Sequence, residues 1–216
     1  MKSKSGYDVH PSVAMVQNTI ARLKEKTGRS LGEWVLLVRK EGPADEKKRR
    51  EWLKTRHGLG TNYAHWIAAQ SAGKGENGDP RTYLAAAERY VEEMMAGPKA
   101  NLRPIYDALL KLGRGLGSDV KVCPCQTMVP FFRNHVFAQI KPSTRTRIDL
   151  GLALKDSKVP KRLIDTGGFE KKDRITHRIE ITSLTDIDDE VKRWLTKAYD
   201  MDAEERRSKP AAKMTV

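Results

Sequence analysis

The sequence lacks the features of membrane, secreted and zinc-binding proteins. No apolar run approaches the roughly 20 residues that a membrane-spanning helix needs, and residues 1–10 contain no apolar stretch typical of a signal peptide. The two cysteines, Cys123 and Cys125, flank Pro124, where a disulfide would close a strained ring, and no second pair completes a zinc site. We therefore expect a cytoplasmic protein that does not bind membranes. Both cysteines are expected to have a structural or incidental role, with a reactive thiol pair as the alternative.

The chain also lacks a recognisable catalytic or cofactor-binding set. It has no serine nucleophile elbow and no Walker-type phosphate loop. The glycine-rich segment Gly113–Gly117 follows a predicted helix rather than a strand, the wrong order for a dinucleotide-binding turn. Asp149 and Glu180 suggest a nuclease-like carboxylate pair, but no lysine follows Glu180 where such enzymes place one. The five histidines, which show no metal-binding spacing, are His10, His57, His65, His135 and His177. We expect no catalytic residue, cofactor or metal, and a function more typical of a non-enzymatic protein.

What the chain has in excess is positive charge. Its 216 residues contain 41 Lys and Arg against 28 Asp and Glu, a net charge of +13. The excess lies in two blocks, since residues 1–78 hold 15 basic against 8 acidic side chains and residues 101–165 hold 12 against 5. Such an excess favours a polyanionic partner, because neutralised phosphates release counterions.

Helical spacing predicts a compact all-α bundle in residues 1–70. Apolar residues at Val13, Val16, Ile20 and Leu23 mark the first helix, and the capping-box sequence Ser30–Glu33 begins the second. A third helix is predicted over residues 44–56 and a fourth from Thr61 or Asn62. The basic residues expected on the exposed side of the third helix are Lys47, Lys48, Arg49 and Arg50.

A change of hydrophobic period predicts a second, α+β module. Residues 71–79 are rich in glycine and polar residues and are predicted to be a linker. The second module then covers residues 80–201, with residues 80–100 as a connecting helix, and residues 202–216 form a polar tail that is expected to fray. Alternating patterns predict a small antiparallel sheet flanked by helices. The predicted strands lie at 120–122, 128–132, 136–140, 145–154 and 176–181, and residues 155–170 are predicted to be a loop.

The turn between the third and fourth predicted helices resembles the helix-hairpin-helix pattern of non-specific DNA-binding proteins. Gly58-Leu59-Gly60 supplies the hairpin, with Ala64 and Ile67 at the expected following positions. Glycine lets the backbone approach a phosphate, and the next helix offers its free N–H groups there. The candidate phosphate-binding residues are Gly58, Leu59, Gly60, Thr61, Lys47, Arg50, Lys54 and Arg56, with His57 as a further source of charge. Two alternatives remain: an ordinary glycine helix cap with no ligand, and a helix-turn-helix reader that uses Asn62, His65 and Gln70.

The second module suggests its own anion contacts. Arg145 and Arg147 alternate along a predicted strand, with Lys141 nearby, although an exposed antiparallel face normally carries such charge. The sequence therefore predicts an accessory protein that binds nucleic acid without sequence preference through the basic helical module. The alternative is a protein-interaction or small-ligand module with its pocket in the C-terminal α+β domain.

Two parts of the chain resemble bacterial domain families of unknown function. Val13–Ala69 is similar to the small helical family numbered 4287, through Lys26-Thr27-Gly28, Trp52-Leu53 and Gly58-Leu59-Gly60. The segment from Ile105 to Tyr199 is similar to the family numbered 5655. Its matching pieces are Phe137–Pro142, Arg147–Leu152 and Asp189–Leu195. The resemblance implies a cytoplasmic bacterial protein with two modules in this order, and it implies no activity.

Overall fold

A computed structural model describes residues 3, 4, 6–73, 78–155 and 160–208. The chain divides into two compact units. The helical unit is His10–Tyr83, and the α+β unit combines the residues up to Val9 with those from Leu84 onward. Four residues of the predicted linker, 74–77, lie outside the described residues. The prediction that the protein is α+β, with a helical N-terminal module ahead of an antiparallel sheet, is confirmed.

The helical unit begins with four helices whose ends follow local capping rules. They are α1 Pro11–Thr27, α2 Leu31–Glu41, α3 Glu46–His57 and α4 Thr61–Ser71. Ser30 and Glu33 form the expected capping box at α2, and Asp45 accepts from the backbone N–H of Lys48 to cap α3. The buried core consists of Leu23, Trp34, Val38, Leu53, Leu59, Ala64, Ile67 and Ala68. This core holds α3 and α4 together beneath the glycine hairpin.

Three further helical segments precede the sheet. They are α5 Pro80–Met94, a short 3₁₀ helix Gly97–Leu102 and α6 Arg103–Arg114. The boundary between the two units falls inside α5, between Tyr83 and Leu84. Gly113 near the end of α6 lies so close to Phe131 that an added Cβ would sit 2.5 Å from the ring. A glycine is therefore needed where α6 packs on the sheet.

The sheet has six antiparallel strands in the order β1-β2-β3-β4-β6-β5. The strands are β1 Lys121–Val122, β2 Val129–Phe132, β3 Val136–Pro142, β4 Ile148–Leu152, β5 Ile164–Asp165 and β6 His177–Ile181. A one-turn helix α7 Gly168–Lys171 lies between β5 and β6. A 3₁₀ turn Leu184–Asp186 and the long helix α8 Asp189–Ser208 follow β6.

The two faces of the sheet differ in polarity because side chains alternate along each strand. Ile140, Leu150 and Ile179 stand side by side on three adjacent strands, and all three are fully buried in the core. The next row, Lys141, Asp149 and Glu180, occupies the opposite face. The charged residues of the three adjacent strands β3, β4 and β6 are thus gathered on one face.

The residues just before His10 belong to the α+β unit. The sequence instead predicts that they belong to a helical module of residues 1–70. The Asp8 backbone N–H donates to the Val122 carbonyl at 2.8 Å, and the Asp8 side-chain carboxylate accepts from the Val122 N–H at 3.1 Å. The buried hydroxyls of Tyr7 and Tyr106 lie 2.9 Å apart. These contacts cover the edge strand β1, and an unpaired edge is unfavourable.

Three element predictions need correction. The predicted loop 155–170 contains β5 and the start of α7, because Ile164 and Asp165 pair with β6, while residues 156–159 lie outside the described residues. The strand predicted over 145–154 is only Ile148–Leu152. The tail does not begin at residue 202, because α8 continues to Ser208 and Asp202 is buried. Residues 209–216 lie outside the described residues.

Candidate functional sites

The hairpin between α3 and α4 is closed by a glycine cap. Gly58 has a φ of 65°, in the left-handed region that favours glycine. Its N–H donates to the Lys54 carbonyl at 3.1 Å, and the Leu59 N–H donates to the Leu53 carbonyl at 3.2 Å, as in a Schellman motif. Leu59 is only 8% exposed and anchors the turn in the core. Gly58 and Leu59 are thus explained by the fold alone.

Gly60 has no such explanation. Its φ of −63° and ψ of 155° suit any residue, and a Cβ built on it would meet no atom of the described residues within 4 Å. It is the N-cap of α4, a position where a side chain that accepts a hydrogen bond is preferred, and it has none. Thr61 and Asn62, which follow it, are exposed. The first turn of α4 therefore presents backbone N–H groups beside an open surface.

Helix α3 brings three of the four candidate basic residues together. At 100° per residue, Lys47, Arg50 and Lys54 fall within about 60° of one another, and Gly58 continues their line. We call Lys47, Arg50 and Lys54 the basic stripe. Arg56 lies about 160° from Lys54 around the helix and does not join it.

Ion pairs reduce the charge of the basic stripe. Arg50 pairs with Glu46, and the Lys54 ammonium lies 3.5 Å from the Glu51 carboxylate, whereas no ion pair of Lys47 occurs among the described residues. The Lys54–Glu51 pair is exposed and contributes little to stability, whereas the Arg50–Glu46 pair is partly buried. Arg49, expected on the exposed side, is half-buried instead. It donates to the Pro43 carbonyl at 2.6 Å and to the Ser71 hydroxyl at 3.1 Å, so its role is structural.

His57 does not add charge to the hairpin at neutral pH. Its ring lies between two tryptophans, with centroid distances of 5.4 Å to Trp34 and 4.4 Å to Trp52. Burial lowers the pKa of His57, and the cations Arg29 and Arg56 lower it further. Its Nε2 atom is buried and has no hydrogen-bond partner among the residues that the structure describes. His57 is therefore neutral near pH 7, contrary to its predicted contribution of charge.

The α+β unit brings together two of the three predicted anion contacts. Lys141 and Arg145 line an open cleft of about 660 Å³. Lys99, which the sequence analysis did not identify, lines the same cleft and donates from Nζ to the Pro142 carbonyl at 2.7 Å. We call this the Lys99 cleft. No sequence pattern signalled Lys99, because it lies 42 positions before Lys141 in a segment that ends a helix.

Arg147, the third predicted anion contact, forms ion pairs with carboxylates instead. Its guanidinium lies 3.0 Å from Asp149 and 2.8 Å from Glu180, and Arg178 lies 3.0 Å and 2.9 Å from the same two carboxylates. Two arginines thus neutralise the two acids that suggested a nuclease-like pair. In the part of the chain that the structure describes, no group of three or more His, Cys, Asp or Glu side chains could hold a metal ion.

A second concave surface lies at the other end of the same unit. A pocket of about 320 Å³ is lined by Phe169, which is 46% exposed, and by Thr176 and Asp202, which are buried. Asp202 accepts from the Asn134 N–H at 2.7 Å and from Arg174 Nη2 at 2.6 Å. We call this the Phe169 pocket. Its polar wall is fixed, and its aromatic rim is open.

The two cysteines are separate thiols in protected surroundings. Cys123 is buried and its thiol donates to the Val9 carbonyl at 3.7 Å, while Cys125 is partly buried. Burial, with the nearby Asp8 carboxylate, raises the pKa of Cys123 to about 12. Burial also raises the pKa of Cys125. Both thiols stay protonated near pH 7, which makes them poor nucleophiles.

Comparison with known families defines the class of this protein. It is a two-unit α+β protein whose residues 15–72 match the Domain of unknown function (DUF4287) and whose residues 91–202 match the Domain of unknown function (DUF5655). The second match covers more than half of the chain, so the chain belongs to the DUF5655 family. The predicted pairing and order of the two domains are confirmed. No curated protein and no solved structure matched the chain. Among the described residues, no helix is both long and apolar enough to cross a bilayer.

Proposed function

We propose that this protein is a non-enzymatic accessory factor that binds nucleic acid without sequence preference through the α3–α4 hairpin. The observation that carries this proposal is Gly60, a glycine that neither the backbone conformation nor internal packing requires. A close approach by an external backbone gives a reason for the missing side chain. A bare N-cap leaves the N–H groups behind it open to a phosphate oxygen.

Electrostatics supports the same surface. The N-terminus of a helix carries roughly half a positive charge, which favours a phosphate there. The basic stripe runs along α3 towards Gly58, so a strand that touches Gly60 has Lys54 and Lys47 along its path. Neither base edges nor base-reading side chains are required for such contacts, and the binding is therefore expected to be non-specific.

Adding a single methyl group at Gly60, by substitution with alanine, tests this proposal. Gly60→Ala places a Cβ at the open N-cap, and we expect binding to a labelled duplex or single strand to weaken about tenfold as backbone contacts are lost. Fluorescence anisotropy at 50 and 200 mM salt is the assay. If the protein neutralises two phosphates, its affinity should fall about tenfold between these two salt concentrations.

The matched control is Gly32→Ala. Gly32 is exposed in the first turn of α2, and its Cβ would also meet no atom within 4 Å, so the same chemical change is made at a different helix start. Equal affinity of the two variants would contradict the proposal, as would an affinity that does not change with salt. The full chain is used, because Tyr7 and Asp8, just before the helical unit, fold with the α+β unit.

A second candidate function, small-ligand binding by the α+β unit, is favoured by the Phe169 pocket. Its volume of about 320 Å³ lies within the range of ligand sites. An exposed phenylalanine beside a fixed Arg174–Asp202 pair suits a ligand with a flat ring and one polar end. A rise in melting temperature with such a compound, lost in Phe169→Ala, would support this function, whereas a rise retained in that variant would count against the pocket.

A further inference from the structure

We propose that the Lys99 cleft binds the phosphate group of a small organic phosphate. Three cations from three different segments converge on it: Lys99 from the 3₁₀ helix, Lys141 from β3 and Arg145 from the β3–β4 turn. One acid, Glu93, also lines the cleft, and its carboxylate lies 3.4 Å from Arg89. The cleft therefore carries an excess of positive charge.

The neighbouring acid does not compensate for Lys141. Lys141 pairs in register with Asp149, and a cross-strand pair of opposite charges would normally interact directly. The Asp149 carboxylate faces other groups instead: Oδ1 lies 3.0 Å from Arg147 Nε without the alignment of a hydrogen bond, and Oδ2 lies 3.0 Å from Arg178 and accepts from the Ser143 hydroxyl at 2.6 Å. Within the described residues, neither Lys141 nor Arg145 has an ion pair.

The cleft is also organised before any ligand arrives. The Lys99 ammonium is held by the Pro142 carbonyl at 2.7 Å, an uncharged acceptor that leaves its charge and its remaining N–H donors available. Holding a long side chain in place beforehand lowers the entropy cost of binding. The exposed Thr127 also lines the cleft, and its side chain carries a hydroxyl donor.

Apolar groups complete the lining. Met94, Pro98 and Pro142 border the cleft beside the cations. A cluster of cations next to an apolar wall suits a phosphate that is attached to an organic group. The volume of about 660 Å³ has room for both parts of such a molecule. A phosphate of a nucleic-acid strand shares this chemistry, so the test must separate the two sources.

The experiment is an NMR titration of the full chain with pyrophosphate, then with a short unphosphorylated single-stranded oligonucleotide. We expect pyrophosphate to shift the backbone amides of Thr127, Ser143 and Arg145 in a saturable way. In the double variant Lys141→Gln/Arg145→Gln the affinity should fall about tenfold, as expected for the loss of two exposed charge contacts. The control Lys111→Gln/Lys121→Gln removes the same net charge from exposed residues outside the cleft and should change little.

The outcomes are distinct. Saturable shifts with pyrophosphate that the cleft variant alone weakens support a site for free phosphates. Shifts of these amides with the oligonucleotide alone assign the cleft to a nucleic-acid backbone and overturn the small-molecule proposal. No shift with either probe, or equal loss in both double variants, overturns the site itself. The cleft lies wholly within the α+β unit, so a negative result would leave the hairpin proposal for the helical unit untouched.

Discussion

Replacing Asp202 with asparagine should strongly destabilise the α+β unit. The Asp202 carboxylate is 1% exposed and accepts hydrogen bonds from the backbone N–H groups of Asn134 and His135, at 2.7 and 3.1 Å. It also lies 2.6 Å from Arg174 and 3.1 Å from the His135 ring. Asn would present an N–H₂ group to some of these donors and would remove the negative charge that lies against Arg174.

The magnitude follows from this geometry. Breaking a buried ion pair by removing one partner costs about 3–5 kcal/mol, but Arg174 is 35% exposed and water can solvate part of its charge. We therefore expect a loss of about 3 kcal/mol in the free energy of unfolding of the α+β unit. For a chain of this length, each kcal/mol lowers the melting temperature by about 2–4 °C, so the shift should be about 10 °C.

Differential scanning calorimetry, with hydrogen exchange at β2 and β3 to assign the transition, measures the effect. The control is Asp200→Asn, two residues earlier on the same helix, where the side chain is exposed. Its expected effect is within about 0.5 kcal/mol. If the two variants melt together, the buried carboxylate does not hold α8 to the β2–β3 hairpin, and the reasoning fails.

Two further predictions concern single side chains. The pKa of His57 is lowered in the folded protein, so the unfolded chain takes up a proton at this histidine more readily. The stability of the helical unit should therefore fall as the pH drops through about 6.5. Calorimetry at pH 7.5 and 5.5 should show a smaller fall in His57→Phe and an unchanged fall in the control His65→Gln. Lys172, at the end of α7, has a φ of 57°, in the left-handed region that favours glycine. Lys172→Gly should therefore raise the free energy of unfolding, measured by urea denaturation, by about 1 kcal/mol. An unchanged or lower value would show that the lysine side chain stabilises this turn.

The parts of the fold that were predicted from the sequence depend on local signals. The Ser30–Glu33 capping box, the glycine after α3 and the alternation along β3 and β6 each act over a few residues, so a reader of the sequence can see both partners. The hairpin turn is of the same kind. Its cap geometry is predictable from the sequence, whereas the open space around Gly60 depends on how the helices pack in three dimensions.

The parts that were missed depend on distant partners. Nothing near Asp202 in the sequence shows that it will meet the N–H groups of Asn134 and His135, which lie 68 and 67 positions earlier. Lys99 and Lys141 line the same cleft because the fold brings them together, and no sequence motif links them. Arg147 was expected to contact an anion because its alternation with Arg145 was visible, whereas its two carboxylate partners depend on strand register.

The two hydrogen bonds between Asp8 and Val122 have a consequence for synthesis on the ribosome. The partners are 114 positions apart, with the whole helical unit between them. The segment before His10 therefore emerges early and must wait until β1 has been made, long after α1–α4 can fold, before Tyr7 finds Tyr106. During that interval the ring of Tyr7 is not yet covered by the core of the α+β unit. This order makes the closing of the sheet edge a late step in folding, and a reporter attached ahead of Tyr7 would record its completion.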